Sequence, residues 1–121
     1  MMSANEQDCV FCRIGRHEAP AEYVYEDETV FVIKDRFPKV PVHLLVIPHK
    51  HIARIDALSI EDNGLIVHLF EVVRLIAVKY HLEAGYRVII NSGTEGGQTV
   101  SHLHIHIIAG KCLGFREDAV L

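Results

Sequence analysis

The sequence has little of what disulfide-rich, membrane-spanning or nucleic-acid-binding proteins need. It contains only three cysteines in 121 residues, an odd number. No apolar run approaches the roughly 18 residues of a membrane span, and the opening residues, MMSANEQDCV, lack the basic and apolar regions of a signal peptide. The formal charge of -4 leaves no basic excess to neutralise a nucleic acid. These absences predict a cytoplasmic protein with reduced thiols that binds neither membranes nor nucleic acid.

The patterning of the chain predicts an α+β fold in one domain. Hydrophobic residues make up 50% of the chain, which is enough for a single core. A short helix is expected at residues 9–16, and strands are expected at 23–25, 29–33, 43–47, 87–90 and 100–108. One long helix should begin after Ser59 as its N-cap and end with Gly85 at C′. We therefore expect a five-stranded, mainly antiparallel sheet with one long helix and a short N-terminal helix.

The long helix has a wide apolar face. Apolar residues recur at spacings near 3.6, and three further residues widen the stripe: Leu65, Leu69, Val72, Val73, Ile76 and Tyr80, then Ile66, Phe70 and Ala77. Such a face is broad for the surface helix of a monomer. It favours burial against a partner chain.

Three alternating histidines are the strongest chemical signal. His102, His104 and His106 are separated by single apolar residues, so on a strand they share one face, roughly 6.6 Å apart. Each buried imidazole needs hydrogen-bond partners, which makes three in alternation costly without a function. The residues alone leave two interpretations open. One is a metal site, and the other is nucleophilic catalysis in which one ring attacks and its neighbours orient it.

The segment before the histidines favours the nucleophilic interpretation. Residues 91–99, NSGTEGGQT, contain three glycines and several short polar side chains. Glycines let the backbone approach a ligand and turn successive N–H groups inward to bind an anion. Gln98 and Thr99 add side-chain donors. A loop of this kind leading into histidines predicts a phosphate site.

The pair Cys9-x-x-Cys12 is half of a four-ligand zinc site. Two buried free thiols and a redox pair are the alternatives, although the βαβ context typical of a redox pair is missing. Cys112 is a lone thiol with no evident role.

These motifs together resemble the histidine triad superfamily of nucleotide hydrolases and transferases. The resemblance rests on GGQTVSHLHIHII at 96–108, VHLLVIPHKH at 42–51, CVFCRI at 9–14, and Asp35. It spans residues 9–110, which we expect to form the domain, between a flexible N-terminus at 1–8 and a tail at 111–121. The Gly-Gly-Gln form is most similar to the Hint branch, whose members hydrolyse purine nucleoside phosphoramidates.

The resemblance implies a role for each matching residue. His104 would be the nucleophile, forming a nucleotidyl-histidine that water resolves to a nucleoside monophosphate. Asp35 would bind the ribose hydroxyls, and His43 would lie buried behind the triad. The phosphate would be contacted by Asn91, Gly97, Gln98, Thr99 and His106. The resemblance also implies a homodimer.

The resemblance further implies that His51 and His102 complete a zinc site with Cys9 and Cys12. Four protein ligands leave no open position, so this zinc would be structural. No catalytic metal or organic cofactor is expected.

Two departures keep other functions open. Arg36 stands where the branch often has an apolar residue against the base, and the tail lacks the Trp-Pro ending of Hint relatives. After Ile108 the chain reads Ala-Gly-Lys, where those relatives more often have Gly-Gly-Arg. The alternatives are a dinucleoside polyphosphate hydrolase of the same superfamily and a nucleotide-binding or metal-binding regulatory module.

Overall fold

The computed structural model describes residues 8–111. The N-terminus predicted to be flexible lies outside the described residues except for Asp8, and the tail, including Cys112, lies outside them except for Lys111. The helices are α1 (Val10–Gly15) and α2 (Asn63–Lys79), and the strands are β1 (Tyr23–Glu26), β2 (Val30–Lys34), β3 (Val42–Pro48), β4 (Arg87–Ile89) and β5 (Ile105–Ala109). Within this part of the chain, no helix is both long and apolar enough to cross a membrane.

The five strands form one sheet in the order β1-β2-β3-β5-β4, and every neighbouring pair is antiparallel. This confirms the predicted α+β class. Four of the five predicted strands agree with the structure to within one residue at each end. The central strand β3 is buried along almost its whole length, as its unbroken apolar sequence predicts.

The two faces of the sheet carry separate cores because successive strand residues point to opposite sides. One face packs against α2 through a cluster that includes Val30, Val32, Leu44, Val46, Leu103, Ile105 and Ile107. The other face packs against α1 through Phe11, Ile14, Phe31, Ile33, Leu45 and Ile47. Residues 103, 105 and 107 therefore face the α2 core, as predicted, and leave the histidines to the α1 side.

The caps at both ends of the long helix differ from the prediction. Ser59 begins a 3-10 turn, Ile60–Asp62, that leads into α2 at Asn63, and its backbone N–H donates to the Asp62 carboxylate at 3.0 Å. At the other end His81, not Gly85, takes the left-handed conformation, with φ of 55°. The N–H of Leu82 then donates to the carbonyl of Ala77 at 3.0 Å. The assignment of Gly85 to C′ was wrong because the chain turns four residues earlier.

The last strand is shorter than predicted. Residues 100–104 were expected to belong to it, but β5 begins at Ile105, opposite Val46 of β3. Strand β3 ends at Pro48, which has no N–H to offer a partner. The N–H of Leu103 donates instead to the carbonyl of Ile52 at 2.7 Å. The first two histidines of the triad therefore precede the strand.

Candidate active site and metal centre

His104 is buried, and its ring has one nitrogen engaged by the main chain. Its Nδ1–H donates to the carbonyl of His102 at 2.7 Å, so Nε2 carries the lone pair. Burial lowers the pKa of His104 below its usual value, although the bond to the His102 carbonyl and the nearby Asp35 oppose the shift. The ring is therefore neutral near pH 7. A neutral imidazole with a free Nε2 has the electronic form that a nucleophile requires.

His106 has the opposite tautomer, with its proton on Nε2. The N–H of Lys39 donates to His43 Nδ1 at 3.3 Å, so His43 carries its proton on Nε2. That Nε2–H lies 3.2 Å from His106 Nδ1 and 3.3 Å from an Asp35 oxygen. His106 Nδ1 therefore accepts, and its Nε2–H remains as a donor. Burial, followed by the neighbouring His104 and His43, lowers the pKa of His106 to about 4.

The rings of His104 and His106 are neighbours, with centroids 4.9 Å apart and planes inclined at 64°. They are closer than the roughly 6.6 Å repeat of a strand, and His104 lies before the start of β5. The structure thus combines a lone pair on one ring with an N–H donor on the next. A phosphoryl group needs this pairing, since one atom attacks phosphorus while a donor meets the charge that develops on oxygen.

Asp35 lies beside this pair, in the loop after β2. One carboxylate oxygen accepts the N–H of Phe37 at 2.8 Å, and the other faces His43. Arg36 points to solvent, with its guanidinium carbon 5.9 Å from the ring centroid of Phe37. Phe37 is itself 73% exposed. Position 36 therefore lacks the apolar residue that is usual in the branch, but the next residue, Phe37, places a solvent-exposed aromatic ring near Asp35.

The glycine-rich loop is closed by its own hydrogen bonds. Gln98 Oε1 accepts the N–H of Gly93 at 2.7 Å, and its Nε2 donates to the carbonyls of Ala53 at 2.7 Å and Val100 at 2.9 Å. The backbone N–H groups of Gly97 and Gln98 are bonded inside the same turn. The Gln98 side chain therefore holds the loop together instead of standing ready as a phosphate donor. The backbone N–H and the hydroxyl of Thr99 have no hydrogen-bond partner within residues 8–111.

Four side chains from three segments meet on the α1 side of the sheet. Cys9, Cys12, His51 and His102 place one ligand atom each within 4.8 Å of all the others. His102 Nδ1 lies 3.2 Å from Cys9 Sγ, 3.5 Å from Cys12 Sγ and 3.2 Å from His51 Nδ1. This set, which we call the Cys/His cluster, could hold a metal ion.

The protonation of His102 fits metal binding. Its Nε2–H donates to the carbonyl of Pro48 at 2.8 Å, which leaves the Nδ1 lone pair directed at the thiols. Burial lowers the pKa of His102 to about 4, so the ring is neutral. Two cysteines and two histidines are a typical donor set for zinc. Asp35, His43 and His106 form a second compact group, but hydrogen bonds already link its members, and His104 belongs to neither group.

Residues 16–113 match the family model described as the HIT domain, which is most of the chain. The chain belongs to the HIT family. An uncharacterized HIT-like protein of Chlamydia trachomatis is 45% identical over 87% of this chain and 95% of its own length. Among solved structures, a histidine triad protein from Clostridium difficile has 39% identity and a TM-score of 0.88, covering 97% of this chain and all of that one. A HIT family hydrolase from Legionella pneumophila has 37% identity and a TM-score of 0.87, covering 89% and 97%.

This HIT protein brings together most of the residues that its sequence singles out. His43, His104 and His106 share one buried site with Asp35, and the four predicted metal ligands share the other. The matched HIT region begins at residue 16, so both cysteines of the Cys/His cluster lie before it.

Two residues at the sites of this HIT protein were not anticipated. Phe11 lies between the two cysteines, and its ring meets His104 edge-on at 5.0 Å between centroids. The guanidinium of Arg54 packs against Gly93 so closely that a Cβ added there would lie 2.6 Å from its Nη1. An aromatic residue inside the Cys-x-x-Cys motif was a signal for the first. No local pattern marks Arg54, because its contact joins residues 39 positions apart.

Proposed function

We propose that this HIT protein hydrolyses nucleoside 5′-phosphoramidates or acyl-nucleotides, with purine nucleotides as substrates. The observation that supports this most is the 2.7 Å bond from His104 Nδ1–H to the His102 carbonyl. It keeps the lone pair on Nε2, where attack on phosphorus would begin. The named hydrolase among its structural relatives is consistent with the same class of reaction.

The reaction proceeds in two displacements. His104 Nε2 attacks phosphorus and a P–Nε2 bond forms, while the P–N or P–O bond to the leaving group breaks and that group takes the bonding electrons and a proton from solvent; the proton that water loses in the second step returns to solvent. The product is a nucleotidyl-histidine. Water then attacks the same phosphorus, the P–Nε2 bond breaks, and a nucleoside monophosphate leaves. His106 Nε2–H donates to a non-bridging oxygen in both steps, and Asp35 accepts from the ribose hydroxyls.

The test compares the wild-type protein with His104→Ala on adenosine 5′-phosphoramidate and on diadenosine polyphosphates. We expect turnover of the first substrate, and loss of about three or more powers of ten in kcat/KM in the variant. The control is His81→Asn, because His81 is an exposed histidine at the end of α2. Turnover of the polyphosphates alone would indicate the dinucleoside polyphosphate hydrolase. Equal residual turnover in both proteins would indicate a regulatory nucleotide-binding module.

We also propose that the Cys/His cluster binds a structural zinc ion in a reducing compartment such as the cytoplasm. Cys9 is the N-cap of α1 and Cys12 lies within α1, while His51 follows β3 and His102 precedes β5, so the ion would join three segments. Metal analysis of the purified protein should find about one zinc per chain. Cys12→Ser should lose most of it, whereas Cys112→Ser should keep it. Equal zinc content in the two variants would refute the site.

The third proposal is a homodimer. The buried side of α2 is formed by Leu69, Val72, Val73 and Ile76. At about 100° per residue, the opposite side carries the exposed residues Val67, Phe70, Leu75 and Val78. This second apolar stripe, which is interrupted by the exposed Glu71 and Arg74, supports burial against a second copy of the chain.

A further inference from the structure

We propose that the Cys/His cluster positions the nucleophile, so that metal binding there sets the orientation and tautomer of the His104 ring. This inference rests on the proposed function, since it concerns the same histidine. His102 and Phe11 are the positioning residues. In this proposal the Cys/His cluster does more than attach α1 to the sheet.

His102 belongs to both sites at once. Its ring is fully buried, with Nδ1 facing the thiols and Nε2–H bonded to Pro48. Its carbonyl accepts the proton of His104 Nδ1 at 2.7 Å. A rotation of this residue about its backbone would move the ring and the carbonyl together. Anchoring the ring therefore anchors the acceptor that selects the tautomer of the nucleophile.

Few backbone hydrogen bonds restrain this part of the chain, although Gln98 Nε2 donates to the carbonyl of Val100 and Leu103 packs in the α2 core. Residues 100–104 precede β5 and make no ladder bonds with β3 or β4. Their backbone N–H contacts are those of His102 to Val100 at 2.8 Å and of Leu103 to Ile52 at 2.7 Å. A segment with few backbone bonds opens more easily than a strand. The position of the His102 carbonyl thus depends strongly on where its ring is held.

Phe11 supplies a second connection. Its ring meets His102 at 5.8 Å and His104 at 5.0 Å between centroids, both edge-on. Phe11 sits in α1, a helix of six residues that is too short to be stable alone. The cysteines on either side of Phe11 belong to the cluster, so ligation would hold α1 and this ring in place. The nucleophile is then supported through its proton acceptor and through the contact of its ring with Phe11.

The experiment uses the full chain with ¹⁵N-labelled histidine, first loaded with zinc and then treated with a chelator. The ring ¹⁵N shifts of His104 are recorded at one pH near neutrality, together with circular dichroism and metal content. With zinc we expect the Nδ1–H form to dominate. After metal removal we expect a mixture of both tautomers and a first-turnover rate lower by roughly tenfold to a hundredfold. Zinc added back should restore both.

A substitution separates positioning from folding. Phe11→Leu should keep its zinc yet slow the first turnover and broaden or shift the His104 signals. Ile14→Leu is the matched control, because it changes the same helix and the same core cluster without a ring contact to His104. If metal removal unfolds the chain, this pair of zinc-loaded variants decides the question.

Two results would overturn the inference. One is an unchanged His104 spectrum in a folded protein shown to have lost its metal. The other is identical behaviour of Phe11→Leu and Ile14→Leu. The ring ¹⁵N shifts require no substrate, so a chain that turns over neither nucleotide would refute the proposed function while still testing this coupling.

Discussion

At the scale of single residues, the histidines of this protein differ by which ring nitrogen the fold engages. His104 uses Nδ1–H on a carbonyl, His106 accepts at Nδ1, and His102 donates from Nε2. All three residues are histidines, yet the result is a free lone pair on His104, an N–H donor on His106 and a nitrogen that faces the two thiols on His102. The partner of each ring decides its chemistry.

The acid limit of activity should reflect the lowered pKa of His104. Burial is the main cause of the lowering, and only the neutral ring can attack phosphorus. Because the pKa is lowered, the neutral form persists to a lower pH than for a free imidazole, whose pKa is about 6.5. A kcat/KM profile should therefore stay level below pH 6.5 before it falls. An acid limb centred above pH 7 would contradict this assignment.

Gly93 should not tolerate a side chain. Its backbone has φ of 79° and ψ of 164°, a conformation almost confined to glycine, and an added Cβ would press on Arg54. We expect Gly93→Ala to lower the free energy of unfolding by about 1–3 kcal/mol and to reduce activity by distorting the loop. Urea denaturation measures the first effect.

The matched control is Gly64→Ala in α2, where an added Cβ meets nothing within 4 Å. That change should stabilise the protein by up to about 1 kcal/mol. Equal destabilisation by the two substitutions would show that the conformation of Gly93 is not the cause.

At the scale of elements, side chains far apart in the chain join segments that the sheet alone does not hold. Gln98 reaches back 45 residues to Ala53, closing the glycine-rich loop over the turn that follows β3. Gln98→Glu would replace a donor with a carboxylate facing two carbonyl oxygens. We expect a loss of about 1–3 kcal/mol in stability together with much lower activity, measured by urea denaturation and by turnover of the phosphoramidate. Unchanged stability would argue against this role for the amide.

A second long-range contact ties α2 to the β1–β2 turn. His68 Nε2 lies 2.7 Å from an Asp27 oxygen, and Asp27 also accepts the backbone N–H groups of Thr29 and Val30. The hydrogen bond to Asp27, followed by that to Glu71, raises the pKa of His68. A raised pKa in the folded state means that the added stability is complete below pH 6.5 and is lost as pH rises through the raised value.

His68→Gln should therefore be destabilising at pH 6 by about 0.5–1 kcal/mol, because the pair is partly exposed. The penalty should shrink by pH 9. Urea denaturation at both pH values measures it, with His81→Asn as the control. A penalty that is the same at both pH values would show that the charge on His68 contributes nothing.

At the scale of the whole molecule, the exposed side of α2 should govern assembly. Val78 is 70% exposed and lies within the apolar stripe, so Val78→Glu should convert a dimer into a monomer. Ile60→Glu is the control, since Ile60 is 83% exposed but lies in the turn before the helix. Sedimentation or light scattering reports the mass in solution. A wild-type protein with the mass of a monomer would contradict the proposed homodimer.

The sequence by itself determined the α+β class of this protein and the positions of the residues that could form its two candidate sites. Alternation in the triad segment assigns residues 103, 105 and 107 to the core face, and the spacing in α2 assigns its buried stripe, because these periods follow from backbone geometry alone. The unusual clustering of histidine, cysteine and glycine was equally visible along the chain. The first four strands were placed correctly by the same local rules, whereas Ser59 caps the 3-10 turn before α2 and not α2 itself.

Only the tertiary structure decided what each polar group does. The late start of β5 follows from Pro48 and from the bond between Leu103 and Ile52. Three contacts join residues that are far apart in the chain. Gln98 bonds to Ala53, Arg54 packs on Gly93, and Phe11 contacts His104. A hydrogen bond or ring contact depends on which segments the fold brings within a few ångströms, and no local period carries that information.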